Sequence, residues 1–152
     1  MELILPEGYR IEDPFIAGME KAYFDLRWRV LRQPWDQPRG TEQDEQEAVA
    51  VHRMILTPDK QVVACGRMQL NTTREAQIRY MAVDQAFRGR KLGVMIIREL
   101  EEVAVNAGAE TMILQARENA LSFYQACNYE VVVKTFLLYD SIQHYLMSKR
   151  LV

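Results

Sequence analysis

Between Arg88 and Gly93 the chain reads Arg-Gly-Arg-Lys-Leu-Gly, a short turn that could hold an anion. Its glycines let backbone approach a ligand with no Cβ in the way, and Arg88, Arg90 and Lys91 add charge. The flanking periods strengthen that reading. Upstream, Ile78, Tyr80 and Ala82 alternate with Gln77, Arg79 and Met81, which is a strand period. Downstream, Leu92, Ile96, Leu100, Val103 and Ala107 recur at steps of four, four, three and four, which is a helix period. A strand that runs through a cationic turn into a helix offers an anion the free N–H groups of the first helical turn. The positive end of the helix dipole lies there too. Phosphate binding is the chemistry expected.

Residues able to move protons are few. His52 and His144 are the only histidines, each on a stretch that reads as a strand, and imidazole titrates where a general base is useful. A lone histidine on a strand is more often a structural residue held by its neighbours. Cys65 and Cys127 lack metal-ligand spacing, so no metal is expected and two free thiols in a reducing compartment are the simple reading. Cys127 falls near a helix C-terminus, which raises a thiol pKa, and is a poor nucleophile. Arg27, Arg29 and Arg32 make one helix basic. They read as a solvated face or as a group that helps bind an anionic substrate or a cofactor. Trp35, in the proline-bearing loop Gln33–Gly40, reads as a substrate wall or as a staple to the core.

The elements that must position these residues follow from periodicity. A first strand is expected at Tyr9–Ile11 and a helix over Gly18–Arg32, with Met19, Tyr23, Leu26 and Val30 on one face. Thr41 with Asp44 three residues on resembles a second helix start. Strands follow over Ala48–Thr57, Gln61–Leu70 and residues 76–83, then the helix from Leu92 to about Ala107, closed by Gly108. A short strand Thr111–Gln115 should lie parallel to the strand before the turn, because a helix connects them. A helix Glu118–Cys127 and a closing hairpin, Tyr129–Tyr139 with Gln143–Ser148, complete the chain. The 152 residues are enough for a single domain with its own core, over 1–152. A net charge of −2 and no basic tail speak against nucleic acid as a partner. No apolar run approaches the ~18–20 residues of a bilayer span. The start, Met-Glu-Leu-Ile-Leu-Pro, lacks a basic n-region, so a cytoplasmic protein with no membrane partner is expected.

The cationic turn resembles motif A of the GNAT superfamily of N-acetyltransferases, Q/R-x-x-G-x-G/A, with Arg88 at the first position and Gly93 at the last. Lys91 stands at the middle glycine, a departure. It implies either an ordinary φ with the lysine lying along the phosphates, or weaker cofactor binding. Residues 116–129, Ala-Arg-Glu-Asn-Ala-Leu-Ser-Phe-Tyr-Gln-Ala-Cys-Asn-Tyr, resemble the family's second signature, N-x-x-A-x-x-F-Y-x-x-x-G-F/Y. Ala120, Phe123, Tyr124 and Tyr129 are in register, Arg117 replaces the asparagine, and Asn128 replaces the glycine. More narrowly, Leu26-Arg27-Trp28 through Thr41-Glu42, with His52 and Ile142-Gln143-His144, resemble the acetyltransferase-type half of bacterial proteins that carry a hot-dog thioesterase-like domain.

The resemblance implies an α/β (α+β) GNAT fold. Its mixed, mostly antiparallel sheet has about seven strands and a splayed parallel pair, flanked by about four helices. It implies acetyl-CoA as cofactor, with the pyrophosphate on Arg88, Gly89, Arg90, Lys91, Leu92, Gly93 and Val94. Backbone at Met81, Ala82 and Val83 would grip pantetheine and the thioester carbonyl, and Asn119 is a further candidate contact. Tyr124 matches the tyrosine that lies near the CoA sulfur and acts as general acid, and its register in the signature favours that role over a core aromatic on an amphipathic helix. Many members take their base from a glutamate on the strand before motif A, where this chain offers Arg79 and no acid. His52 and His144 are therefore the base candidates, with water as the alternative. The implied activity is direct acetyl transfer to a primary amine, either a small molecule or a protein lysine, by a monomer or homodimer. Two alternatives stay open: thioester hydrolysis or decarboxylation, with acyl carrier protein as a partner, and a CoA-binding module without turnover.

Overall fold

The computed structural model describes residues 3–152. Seven strands form one sheet in the order β1-β2-β3-β4-β5-β7-β6: β1 (Arg10–Glu12), β2 (Val51–Leu56), β3 (Val62–Leu70), β4 (Glu75–Val83), β5 (Thr111–Arg117), β6 (Glu130–Leu138) and β7 (Ile142–Arg150). All neighbours are antiparallel except β4 and β5, the parallel pair. Three α-helices, α1 (Glu20–Leu31), α2 (Leu92–Asn106) and α3 (Leu121–Ala126), complete the regular structure among the described residues, with short 3-10 turns at Gln33–Trp35, Gln85–Phe87 and Glu118–Ala120.

Strand alternation sorts the core into two layers. Met54, Leu56, Cys65 and Ala82 face Tyr23 and Leu26 of α1. Ile55, Val63, Met68 and Ile78 face Leu92, Ile96, Leu100 and Ala104 of α2. Central β3 is buried on both faces from Val62 to Met68, as a strand covered on both sides must be. The fourth helix start expected at Thr41 is absent, because Asp44 has a stronger partner than a helix N-terminus. Its carboxylate takes Arg67 as a fork, Nη1 to Oδ1 at 2.6 Å and Nη2 to Oδ2 at 3.0 Å. Glu47 accepts from Arg27 and Arg67 at 3.0 and 2.8 Å. Both guanidiniums are fully buried, so these carboxylates tie the irregular segment 41–50 to the sheet.

A bulge in β4 sets the geometry of the cleft. Across β3, Cys65 pairs with Ala82 and Arg67 with Arg79, so Tyr80 and Met81 together oppose Gly66. Tyr80 takes φ +55, a conformation that costs a residue with a Cβ of order 1 kcal/mol. Packing holds it there, with the guanidiniums of Arg27 and Arg67 at 4.4 and 4.8 Å from its ring. Gly66 cannot carry a side chain, since a Cβ would stand 2.6 Å from Met81 Sδ and 2.7 Å from Ile96 Cγ2. Pairing of β4 with β5 stops just before the bulge, at Ile78 opposite Leu114, although both strands continue. Beyond that point they splay.

Candidate active site

The splay opens a cavity of about 430 Å³ between β4 and β5. Tyr80 and Met81 of β4 wall one side, Gln115 and Arg117 of β5 the other, while Tyr124 of α3 and His144 of β7 also line it. Residues 79–83 have no partner on β5, so the sheet itself presents backbone groups to a ligand there. Met81 lies in the cavity wall, whereas Ala82 and Val83 continue β4 toward the cationic turn.

Asp84 opens that turn by accepting from Ala86 N at 3.0 Å. Gly89 then takes φ +79, with open space where a Cβ would be, so its need is conformational. Lys91 is the N-cap of α2 at φ +62, ψ +20, with no side-chain cap bond. Lys91 therefore adopts the left-handed conformation of the glycine it replaces, and the expectation of an ordinary φ is corrected. The first intrahelical bond goes from Met95 N to Lys91 O. The preceding N–H groups, of Leu92, Gly93 and Val94, have no backbone acceptor among the described residues. Arg88, Arg90 and Lys91 are exposed and form no ion pair among the described residues. Gly93 packs the helix start tightly: a Cβ there would lie 3.1 Å from Phe123 Cζ and 3.4 Å from Val83 Cγ2. Orphan N–H groups, local positive charge and close backbone approach fit a pyrophosphate.

The two histidines have different fates. His52 Nε2–H donates to Glu47 O at 2.8 Å, and Nδ1 accepts from the Tyr23 hydroxyl at 2.7 Å. The ring is buried and outside the cavity wall, so His52 is a structural link between α1, β2 and the 41–50 segment. Both of its ring nitrogens are thus engaged within the protein. His144 donates Nδ1–H to Ile142 O at 3.0 Å and stacks on Phe136 with centroids 4.4 Å apart. The bond fixes the tautomer, leaving the Nε2 lone pair without a protein partner among the described residues. Burial, then Arg117 and Arg32, lower its pKa below the ordinary 6.5, which keeps the ring neutral and able to accept a proton.

Tyr124 is nine-tenths buried between Phe123 and Tyr129, and burial raises its pKa above the ordinary 10.0. Its hydroxyl keeps its proton. Asn119 lies exposed in the 3-10 turn before α3 and is not part of the cavity wall. Arg117, at the position of the family asparagine, does reach the cavity. Cys127 lies outside it with a thiol pKa raised by burial and Glu101, and burial pushes Cys65 up to about 12. Neither is an activated nucleophile. The arginines of α1 also diverge: Arg27 is buried, Arg29 pairs on the surface with Asp25 and Asp84, and Arg32 lines the cavity. Trp35 stacks against Arg117 at 4.5 Å, while the staple of this loop is Trp28, whose Nε1 donates to Gln37 O at 2.9 Å. The spacing of charges along α1 gave no sign of which arginine would turn inward.

A parallel pair that splits beside a helix start with free N–H groups gives an open strand edge leading to an anion-ready turn. The chain belongs to the Acetyltransferase (GNAT) family, whose model matches residues 20–129. Members of that family are enzymes that move an acetyl group from acetyl-CoA to an amine. Its relatives include the uncharacterized N-acetyltransferase YjcF of Bacillus subtilis, 29% identical over 129 residues, covering 85% of this chain and 91% of that one. Another is glucosamine 6-phosphate N-acetyltransferase 1 of Dictyostelium discoideum, 29% identical over 141 residues, covering 86% and 90%. In fold, a Lactobacillus plantarum protein superposes with TM-score 0.84 at 18% identity, over 96% of this chain and 100% of its own. An aminoglycoside 6′-N-acetyltransferase solved with coenzyme A gives TM-score 0.75 at 13% identity, over 94% and 97%. Among the described residues no helix is long and apolar enough to cross a membrane.

Proposed function

We propose that residues 1–152 act as one acetyltransferase domain that transfers acetyl from acetyl-CoA to a primary amine by direct attack. The observation that carries this reading is the joint presence of Tyr124 and His144 in one cavity, in opposite protonation states suited to acid and base. Residues 89–94 would hold the pyrophosphate through orphan N–H groups, and the unpaired edge of Met81, Ala82 and Val83 would hold the pantetheine arm. When bound, acetyl-CoA supplies a thioester whose carbonyl carbon bonds to the acceptor nitrogen as the C–S bond breaks. His144 Nε2 takes the proton released by the amine. Tyr124 gives its hydroxyl proton to the leaving sulfur, which would otherwise depart as a thiolate in a buried site. Holding both substrates in one cleft removes the need for an acyl-enzyme, in keeping with two unactivated cysteines.

The test begins with calorimetric titration of acetyl-CoA against dephospho-CoA, followed by kinetics of two variants. Tyr124→Phe is expected to lower kcat by about 100-fold with CoA affinity nearly unchanged. His144→Gln should lower kcat similarly and abolish the acid limb of the pH–rate profile. In the parent enzyme that limb lies below 6.5, because the histidine pKa is lowered. A larger loss of binding than of turnover in Tyr124→Phe refutes the acid role. CoA release that is independent of added amine would replace acetyl transfer with thioester hydrolysis.

A further inference from the structure

The cleft holds a pair of arginines that the proton transfers leave unused. Arg32, at the C-terminal cap of α1, and Arg117, at the end of β5, both line it. Arg32 Nη1 and Arg117 Nη2 donate to the same carbonyl oxygen, that of Leu31, each at 3.1 Å. A shared acceptor places the two guanidiniums within a few ångströms of each other. Burial and the Arg32 charge accordingly lower the pKa of Arg117.

Neighbouring arginines show what is missing. Arg27, Arg67 and Arg79 are all paired with Asp44 or Glu47. Among the described residues neither Arg32 nor Arg117 has an ion pair, and no Asp or Glu lines the cavity. Both side chains are nevertheless fixed. Arg32 Nε donates to Thr41 O at 2.9 Å, and Trp35 covers one face of Arg117. A guanidinium has five N–H donors. Arg117 commits one nitrogen to protein and Arg32 two, so donors remain on both. Two fixed, half-buried like charges with donors to spare are short of one thing, an anion.

We propose that Arg32 and Arg117 form an oxyanion site in the cleft beside His144, so that the preferred acceptor is a primary amine bearing a phosphate or carboxylate a few bonds from nitrogen. This rests on the acetyl-transfer reading with His144 as base. Arg117 and His144 are direct cross-strand partners of β5 and β7, and directly opposed Cα atoms lie about 5 Å apart. An amine at His144 therefore has its anion close by. The same charge disfavours a lysine in a basic protein segment, which would bring more positive charge to the pair.

Matched amines provide the test: O-phosphoethanolamine against ethanolamine, and β-alanine against propylamine, with acetyl-CoA saturating. One anionic member of the two pairs is expected to exceed its neutral partner in kcat/KM by about tenfold or more, the worth of one charge-assisted bond. Which pair shows it separates phosphate from carboxylate. Arg32→Gln and Arg117→Gln should each collapse that preference while the Kd for CoA stays within about twofold. Equal turnover of neutral and anionic members, or a preference that survives both substitutions, overturns the proposal. So does a loss of CoA affinity in these variants with the acceptor preference intact. If no amine is acetylated, inorganic phosphate is titrated into the CoA-saturated protein while the Arg32 and Arg117 Nε–H resonances are followed. Shifts at both would keep the anion site and sink the acetyl-transfer reading, and no shift would end the proposal.

Discussion

Gly93→Val separates the proposed phosphate turn from the proposed proton-transfer groups. Gly93 is the second residue of α2, wedged between β4 and α3. A bare Cβ would stand 3.1 Å from Phe123 Cζ and 3.4 Å from Val83 Cγ2, against ordinary carbon contacts of about 3.5–4.0 Å. Alanine therefore needs a shift of roughly half an ångström, which the far end of a phenylalanine ring can give. Its better helix propensity, up to about 1 kcal/mol, offsets the strain. Valine adds two γ carbons a further ~1.5 Å out, for which these neighbours leave no room. Overpacking of this kind costs about 1–3 kcal/mol, or roughly 2–4 °C of Tm per kcal/mol in a chain this long. Relief comes only by moving the start of α2 away from Val83 and Phe123, which misaligns the N–H groups of residues 92–94. Misaligning one charge-assisted phosphate bond is worth about 1.5–3 kcal/mol, so CoA affinity should fall by about 10–100-fold. Calorimetry with CoA on Gly93→Val, Gly93→Ala and Tyr124→Phe reads this directly. A folded Gly93→Val protein with parental affinity, or a greater binding loss in Tyr124→Phe, refutes the assignment of the turn.

Two further outcomes are expected. Lys91→Gly removes the cost of φ +62 and should raise stability by up to about 1 kcal/mol in a denaturant melt, while the lost cation weakens CoA binding most at low salt; a destabilised variant would mean that the lysine side chain, and not the backbone, matters there. Acid should unfold the protein in two stages. His52 and His144 have pKa values lowered below 6.5 in the native state. Their contribution to stability is complete above 6.5, where the unfolded chain is neutral too, and declines as pH falls below it. Asp44, held down by Arg67, falls from 3.8 to about 2, which is worth about 2 kcal/mol present above 3.8 and lost as pH drops toward 2. Asp44→Asn should erase the second stage in a pH series of thermal melts, and an unchanged profile would show that the Asp44–Arg67 fork is energetically idle.

Periodicity made the sheet legible because each strand alternates against a helix that buries one face. It placed the parallel β4–β5 pair through the helix that connects them, and the hairpin turn at Asp140, where Tyr139 and Asp140 both take positive φ. The failures have a common cause in charge. Thr41 and Asp44 have the local pattern of a helix start, but the pattern cannot reveal that Arg67, on a distant strand, claims the carboxylate. The same blindness made His52 and His144 look equivalent. Each sits on a strand, and only tertiary partners occupy both ring nitrogens of His52 while leaving Nε2 of His144 without a partner among the described residues.

Net charge fails as a guide to the cleft for the same reason. The chain totals −2, yet four guanidiniums, of Arg27, Arg32, Arg67 and Arg79, lie within 4.4–5.6 Å of the Tyr80 ring. Arg117 joins Arg32 at the Leu31 carbonyl. Segment 41–50 delivers two carboxylates, Asp44 and Glu47, to three of these arginines and none to Arg32 or Arg117. The acids that balance the total lie elsewhere, and at a Debye length of about 8 Å exposed charges beyond the cleft do little to cancel a half-buried pair. A bulged Tyr80 thus has two consequences. It splays β4 from β5 to open the strand edge, and its ring provides the surface on which the cationic side of the cleft is assembled. The open strand edge and the cationic side of the cleft therefore share one structural cause. A substitution that straightens β4, such as Tyr80→Val, should damage both together, whereas Arg117→Gln should damage only the acceptor side.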